Sequence, residues 1–220
     1  MEKKNKKMLI LGVGLLVAFV LWTVLIYLFD VQAIGPKETS VGFATLNGYF
    51  HSLTGVNMSL YVITDWLGLV PIGVAFGFAI FGLIQWIKRK SLFKVDLSIF
   101  ILGGFYLVVI VAYIFFEIVV VNYRPILIDG YLEASYPSST TMLVACVMPT
   151  AIMQFNARIR NNALKRVVVS VIFVFIVFMV IGRLVSGVHW LTDIVGGLVL
   201  SAGLVVLYYF FNCLVRKHEQ

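Results

Sequence analysis

Charge is scarce in this chain. Of its 220 residues only 12% are Asp, Glu, Lys or Arg, where soluble domains carry about 25%. With 61% hydrophobic residues and a mean hydropathy of +1.03, that deficit excludes a water-soluble globular domain and a disordered chain. Cysteine is nearly absent. Cys146 and Cys213 both lie inside apolar runs, which excludes a disulfide scaffold and reads them as small buried hydrophobes. No repeat and no low-complexity tract breaks the sequence, so one domain over 1–220 is expected. The net charge of +7 reads as a device for membrane orientation, with no nucleic-acid partner.

What is present in quantity is apolar length. A helix needs about 20 apolar residues to cross the hydrocarbon core. Six segments qualify: 8–29, 66–87, 97–121, 140–155, 167–185 and 190–214. The fourth is short and holds Pro149, which membrane helices tolerate. The first follows a basic head. Its apolar stretch is too long for a signal peptide and no small-residue cleavage site follows, so it reads as a retained helix. The expected fold is an all-α, integral membrane six-helix bundle. Between the first two spans, residues 35–65 are too polar to cross. Phe43, Leu46, Tyr49, Phe50 and Leu53 recur there at helical spacing, which predicts a short interfacial helix. Gly73 and Gly77 form a small-x-x-x-small pair, which fits either a homodimer or packing within the chain.

Basic residues set the direction. Lys3, Lys4, Lys6 and Lys7, then Lys88, Arg89, Lys90 and Lys94, then Arg158, Arg160, Lys165 and Arg166, and finally Arg216 and Lys217 all fall on one side of six spans. Positive-inside logic makes that side cytoplasmic and puts both termini there, in a multi-pass protein expected in a plasma membrane. Arg124 and Arg183 fall on the outer side. An arginine that opposes the topology preference is a functional-site candidate. The alternative for either alone is snorkelling to headgroups.

Three outer segments concentrate the chemistry. One runs from Glu117 to Arg124 and Pro125, where proline is expected to end the third helix and leave the arginine at its exit. Another is Tyr136-Pro137-Ser138-Ser139-Thr140-Thr141, a helix start with Ser138 at the cap, whose free N–H groups can hold an anion. A third is Gly182-Arg183 followed by His189 and Asp193. The i, i+4 spacing of His189 and Asp193 predicts one helical face. A carboxylate beside an imidazole fixes its tautomer and frees the other nitrogen as a nucleophile; a polar pair capping a helix is the simpler reading. Guanidinium groups suit phosphate oxygens. Together the parts describe a site for a phosphate ester. His189, Asp193 and Glu117 are conceivable metal ligands, but no ligand motif joins them, and neither metal nor cofactor is expected.

These segments resemble the signature of the type 2 phosphatidic acid phosphatase family, which includes undecaprenyl-diphosphate phosphatases. The family pattern is Lys-x6-Arg-Pro, then Pro-Ser-Gly-His, then Ser-Arg-x5-His-x3-Asp, and the matching region here is 117–193. The resemblance implies a lipid phosphatase. His189 would form a phosphohistidine, Asp193 would orient it, Arg124 and Arg183 would hold phosphate oxygens, and Ser138 and Ser139 would complete the cradle. Its partners would be the bilayer and an anionic lipid phosphate or diphosphate, bound at the outer face.

Four positions depart from the pattern. Glu117 stands at the family lysine, Thr140 at the histidine that protonates the leaving group, Gly182 at a serine, and Ser139 at a glycine. A general acid contributes about 10²–10⁴ in rate. A phosphate leaving group needs protonation less than an alkoxide does, so a prenyl diphosphate is favoured over a monophosphate. Two readings follow. One is a lipid phosphatase. The other is a catalytically silent relative that binds or moves an anionic lipid, or serves as a partner subunit.

Overall fold

The computed structural model describes residues 3–218, with side chains over 5–215. The side chains of Lys3, Lys4, Arg216 and Lys217, used above for orientation, lie outside the described residues. Among the described residues the chain forms α-helices and short 3₁₀ turns, with no strand. The helices are α1 (Lys3–Leu28), α2 (Ala44–Thr54), α3 (Met58–Leu67), α4 (Leu69–Arg89), α5 (Leu97–Ile118), α6 (Ser139–Arg158), α7 (Asn162–Val185) and α8 (Leu191–His218). Six runs are long and apolar enough to cross a membrane. The protein is therefore an all-α, multi-pass membrane protein.

The second span differs from its expected bounds. It begins at Met58 and runs through α3 and α4 to Arg89, 32 residues in all. Asn57 starts it early, its side chain accepting from Leu60 N at 2.9 Å, as an N-cap does. The segment between the first two spans thus ends in α3 and keeps α2 as its own short helix. On α2, Leu46, Tyr49 and Leu53 are exposed while Ala44 and Asn47 are buried. Asn47 faces α8, donating to Thr192 Oγ1 at 3.0 Å and accepting from Thr192 N at 3.2 Å.

The weak apolar signal of the fourth span has a tertiary cause. In α6 and α8 half of the spanning residues are buried inside the protein, against 22% or less in the other spans. Helix α6 packs against α4, α5, α7 and α8, so its Thr141, Thr150 and Gln154 meet protein rather than lipid. Helices α1 and α8 lie along each other, and Gly12 and Gly203 permit the approach. A β-carbon on Gly12 would fall 2.6 Å from Leu207, and one on Gly203 2.9 Å from Leu16. Gly73 and Gly77 instead face open space, so that pair brings no helices together within the chain.

The two ends of the bundle differ in charge. At one end Arg89 pairs with Asp96 at 2.9 Å and Arg158 with the same carboxylate at 3.7 Å. This joins the turn after α4 to the end of α6. The segments singled out by sequence gather at the opposite end.

Candidate active site

Helix α5 ends at Ile118, six residues before Arg124. This corrects the expectation that Pro125 stops the helix with Arg124 at its exit. The chain instead forms a hairpin over 122–135. Its tip is Asp129-Gly130, both with positive φ of 50° and 83°, the signature of a type I′ turn. Antiparallel bridges join Ile128 to Tyr131 and Tyr123 to Ala134.

The hairpin sets Arg124 opposite Glu133. Arg124 N donates to Glu133 O at 3.1 Å, and Arg124 Nε lies 3.1 Å from Glu133 Oε2. The arginine's acidic partner is thus Glu133. Glu117 lines a small neighbouring crevice with Ser135, Tyr136 and Ser139. The hairpin also sets Asn122 opposite Ser135, with Ser135 N donating to Asn122 O at 2.9 Å. Both side chains then reach the carboxylate of Asp193.

Asp193 is fully buried and takes three hydrogen bonds. Asn122 Nδ2 donates to Oδ1 at 3.2 Å, while Ser135 Oγ donates to Oδ2 at 2.5 Å and Trp190 N to Oδ2 at 3.0 Å. The last is a carboxylate in the first turn reaching back to an N–H before the helix, half of a capping box. Helix α8 starts at Leu191, so His189 precedes it, and the shared helical face expected for His189 and Asp193 does not form.

His189 is buried and held on both sides. Its Nδ1 lies 3.0 Å from Ser135 Oγ, and its Nε2 lies 3.0 Å from Arg183 Nη2. The hydroxyl hydrogen of Ser135 goes to Asp193, so Ser135 accepts from Nδ1–H. A guanidinium can only donate, so Nε2 carries the lone pair. Burial, followed by the positive charges of Arg124 and Arg183, holds the imidazole well below its ordinary 6.5. The ring is therefore a neutral base at pH 7.

Arg183 sits in the last turn of α7, 1% exposed. Its Nη1 lies 3.5 Å from Asp65 Oδ1. Its guanidinium carbon stands 4.9 Å from the ring centre of Tyr61, and that of Arg124 stands 5.6 Å from the same ring, within cation–π range. Helix α3 thus brings one aromatic ring within reach of both arginines. Gly182 belongs to this contact, since a β-carbon there would fall 2.7 Å from Thr64 Cγ2. The glycine is what lets α3 press against α7.

Ser138 precedes α6 as expected, but its hydroxyl caps nothing. Ser138 Oγ, Arg124 Nη1 and Arg183 Nε are buried without a hydrogen-bond partner among the described residues. Buried polar groups are nearly always satisfied, so these three atoms are the ones here with hydrogen-bonding capacity left for acceptor oxygens. The backbone start of α6 adds N–H donors at the same place. Ser139 and Thr140 open onto a cavity of about 510 Å³ between α4, α5 and α6, with Asp65 at the rim and Leu69, Ile72, Val109, Leu143 and Val147 along its walls. The His51 ring packs against Trp190, the neighbour of His189, with ring centres 5.6 Å apart. Among the described residues no group of three or more His, Cys, Asp or Glu is placed to hold a metal ion.

The family model described as the PAP2 superfamily matches residues 106–216. The chain belongs to the PAP2 superfamily. Its fold is shared with a transmembrane PAP2-type phosphatidylglycerolphosphate phosphatase from Bacillus subtilis, with a TM-score of 0.51 over 91% of this chain and 94% of that one. Sequence identity between the two is 22%, so the likeness concerns the fold. No curated protein matches this sequence. The PAP2 region spans every motif residue from Glu117 to Asp193.

Sequence reasoning missed Asn122, Ser135, Tyr61 and Asp65. The Asp129-Gly130 turn signals a hairpin, but it pairs Ile128 with Tyr131, and the ladder shifts by two residues before Tyr123 meets Ala134, so the turn alone does not place 122 opposite 135 or 124 opposite 133. Tyr61 and Asp65 carried no signal, because they meet Arg183 across a sequence gap of 118 residues or more.

Proposed function

We propose that this PAP2 protein is a lipid phosphohydrolase that works through a phosphohistidine on His189. The supporting observation is the hydrogen-bond chain Asp193–Ser135–His189–Arg183, which leaves the Nε2 lone pair facing an arginine. When a phosphate enters, Arg183 and Arg124 turn their free N–H donors to its oxygens, with Ser138 Oγ and the α6 N–H groups. The Nε2 lone pair attacks phosphorus, and the bond from phosphorus to the leaving oxygen breaks. The leaving group departs with that electron pair, and the ring becomes a phosphoimidazolium whose Nδ1–H still points at Ser135. Water then attacks phosphorus, the P–N bond returns its pair to Nε2, and both water protons leave with the phosphate as dihydrogen phosphate.

Thr140 offers no acid to the leaving oxygen. Phosphate leaves unprotonated far more readily than an alkoxide, so a lipid diphosphate such as undecaprenyl diphosphate is the favoured substrate. The apolar cavity beginning at Ser139 and Thr140 is placed to take the first part of its tail. Applying the positive-inside rule to the turns at the Arg89 and Arg158 end makes that end cytoplasmic. The reaction then takes place at the outer face of a plasma membrane, with both termini inside.

A second reading is a silent relative that binds anionic lipid. It is favoured by the resting ion pairs of both arginines, with Glu133 and with Asp65. The test is phosphate release by protein in detergent from undecaprenyl diphosphate, undecaprenyl phosphate, phosphatidic acid and phosphatidylglycerolphosphate, beside a His189→Ala variant. Turnover lost in the variant supports the hydrolase. No release from any of them by folded protein supports the binding reading.

A further inference from the structure

We propose that Ser135 is a positioning residue that couples Asp193 to His189, so that the carboxylate acts on the nucleophile through a hydroxyl rather than by direct contact. The proposal rests on the hydrolase reading only for its kinetic consequences. The geometry stands without it.

The donors leave one consistent arrangement. Asp193 Oδ2 is 2.5 Å from Ser135 Oγ, a spacing typical of a hydroxyl donating to a carboxylate. Ser135 has one hydrogen, and this bond uses it. Its oxygen then accepts from His189 Nδ1–H, at 3.0 Å. The carboxylate already holds the Trp190 N–H and the Asn122 amide besides. Nδ1 therefore finds its partner in Ser135. When the ring becomes a cation by taking a phosphoryl group, the stabilising charge of Asp193 reaches Nδ1–H through the polarised hydroxyl. The Nδ1 proton need not leave the ring, and nothing else is transferred.

The hairpin explains why a serine can stand here. Residues 122 and 135 face each other across the ladder, so Asn122 fixes one carboxylate oxygen while Ser135 bonds the other. The segment carrying Ser135 continues into Ser138, whose N donates to Asp193 O at 3.1 Å. Backbone and side chain thus register the loop before α6 on the start of α8.

The experiment combines ¹⁵N NMR of His189 in labelled protein with kinetics of Ser135→Ala, Asp193→Asn and the double variant, all shown to be folded by thermal unfolding in detergent. The wild-type ring is expected as the Nδ1–H tautomer, and Ser135→Ala is expected to shift it toward a mixture. In turnover of undecaprenyl diphosphate, Ser135→Ala is expected to lower kcat about 10–100-fold, the usual effect of losing an outer-shell partner. KM should change by less than about threefold. Asp193→Asn should cost little on the Ser135→Ala background. A wild-type Nε2–H tautomer, a spectrum unmoved by Ser135→Ala, or full additivity of the two substitutions overturns the proposal. If Ser135→Ala does not fold, the wild-type tautomer alone decides. If no substrate turns over while the tautomer responds to Ser135→Ala, the hydrolase reading falls and the coupling stands.

Discussion

Arg124 and Glu133 face each other across the 122–135 hairpin, joined by backbone and by an ion pair of 3.1 Å between Nε and Oε2. The Asp129-Gly130 turn reverses the chain, and a two-residue shift between the 128/131 and 123/134 bridges brings Glu133 opposite Arg124. The carboxylate competes with any incoming anion for the guanidinium. Glu133 is partly exposed, so solvent screens the pair and its worth is small. Glu133→Gln is expected to lower KM for a lipid diphosphate about two- to fivefold with little change in kcat, read from steady-state kinetics. An unchanged or higher KM would show that the ion pair orients Arg124 more than it obstructs it.

Replacing the proposed nucleophile should be decisive. His189→Ala is expected to lower phosphate release by at least about a thousandfold, since covalent catalysis has no substitute group beside it. Acid-labile label from a radiolabelled terminal phosphate should attach to wild type and be absent from the variant. Label retained without His189 would place the covalent step on another residue.

In the proposed mechanism Thr140 leaves the departing oxygen without an acid. Matched prenyl diphosphate and monophosphate should differ in kcat/KM by about a hundredfold or more in favour of the diphosphate, within the range that a general acid supplies. Thr140→His should raise the monophosphate rate more than the diphosphate rate. Equal rates on both substrates in wild type would remove the argument.

The acid side of the pH profile follows from the burial of His189. Its ring stays neutral below the ordinary 6.5, so its contribution to the acid limb of kcat/KM should lie below pH 6.5. The same shift has a stability sign. Below 6.5 the unfolded chain takes up a proton that the native ring refuses, so stability falls as pH drops through that window. Thermal unfolding in detergent from pH 7.5 to 5 should show a loss that is smaller in His189→Gln. An identical loss in both proteins would assign the pH dependence to other groups.

Gly182 is a packing requirement. Gly182→Ser places a β-carbon 2.7 Å from Thr64 Cγ2, so restoring the family serine should destabilise by about 1–3 kcal/mol, as overpacking does. Thr64→Ala in the same chain should recover most of it. Unfolding temperatures of the three variants measure both effects. A neutral Gly182→Ser would mean that α3 shifts freely.

Much of the architecture was legible because the bilayer demands it. Any chain crossing a membrane as helices must satisfy its backbone internally over about 20 apolar residues. Five spans therefore stood out by hydropathy, and basic turns supported the sixth. The exception, α6, was faint for a tertiary reason: it is surrounded by four other helices and does not need lipid-facing residues. The start of the second span was misplaced because Asn57, a capping residue, outweighed the polarity of 58–65.

The sequence by itself determined the identities and order of the candidate site residues: two arginines, a serine before a helix, and a histidine followed by an aspartate. These follow from residue type and spacing, which survive without coordinates. Only the tertiary structure decided how they connect. The hydroxyl of Ser135 stands between His189 and Asp193, Glu133 rather than Glu117 pairs with Arg124, and Tyr61 lies against both guanidinium groups. Hydrogen bonds and cation–π contacts act over a few ångströms, whereas these partners are separated by 54 residues between Ser135 and His189 and 118 between Asp65 and Arg183. Such contacts come into being when the hairpin and α3 dock on the ends of α7 and α8, and no local pattern in the chain encodes them.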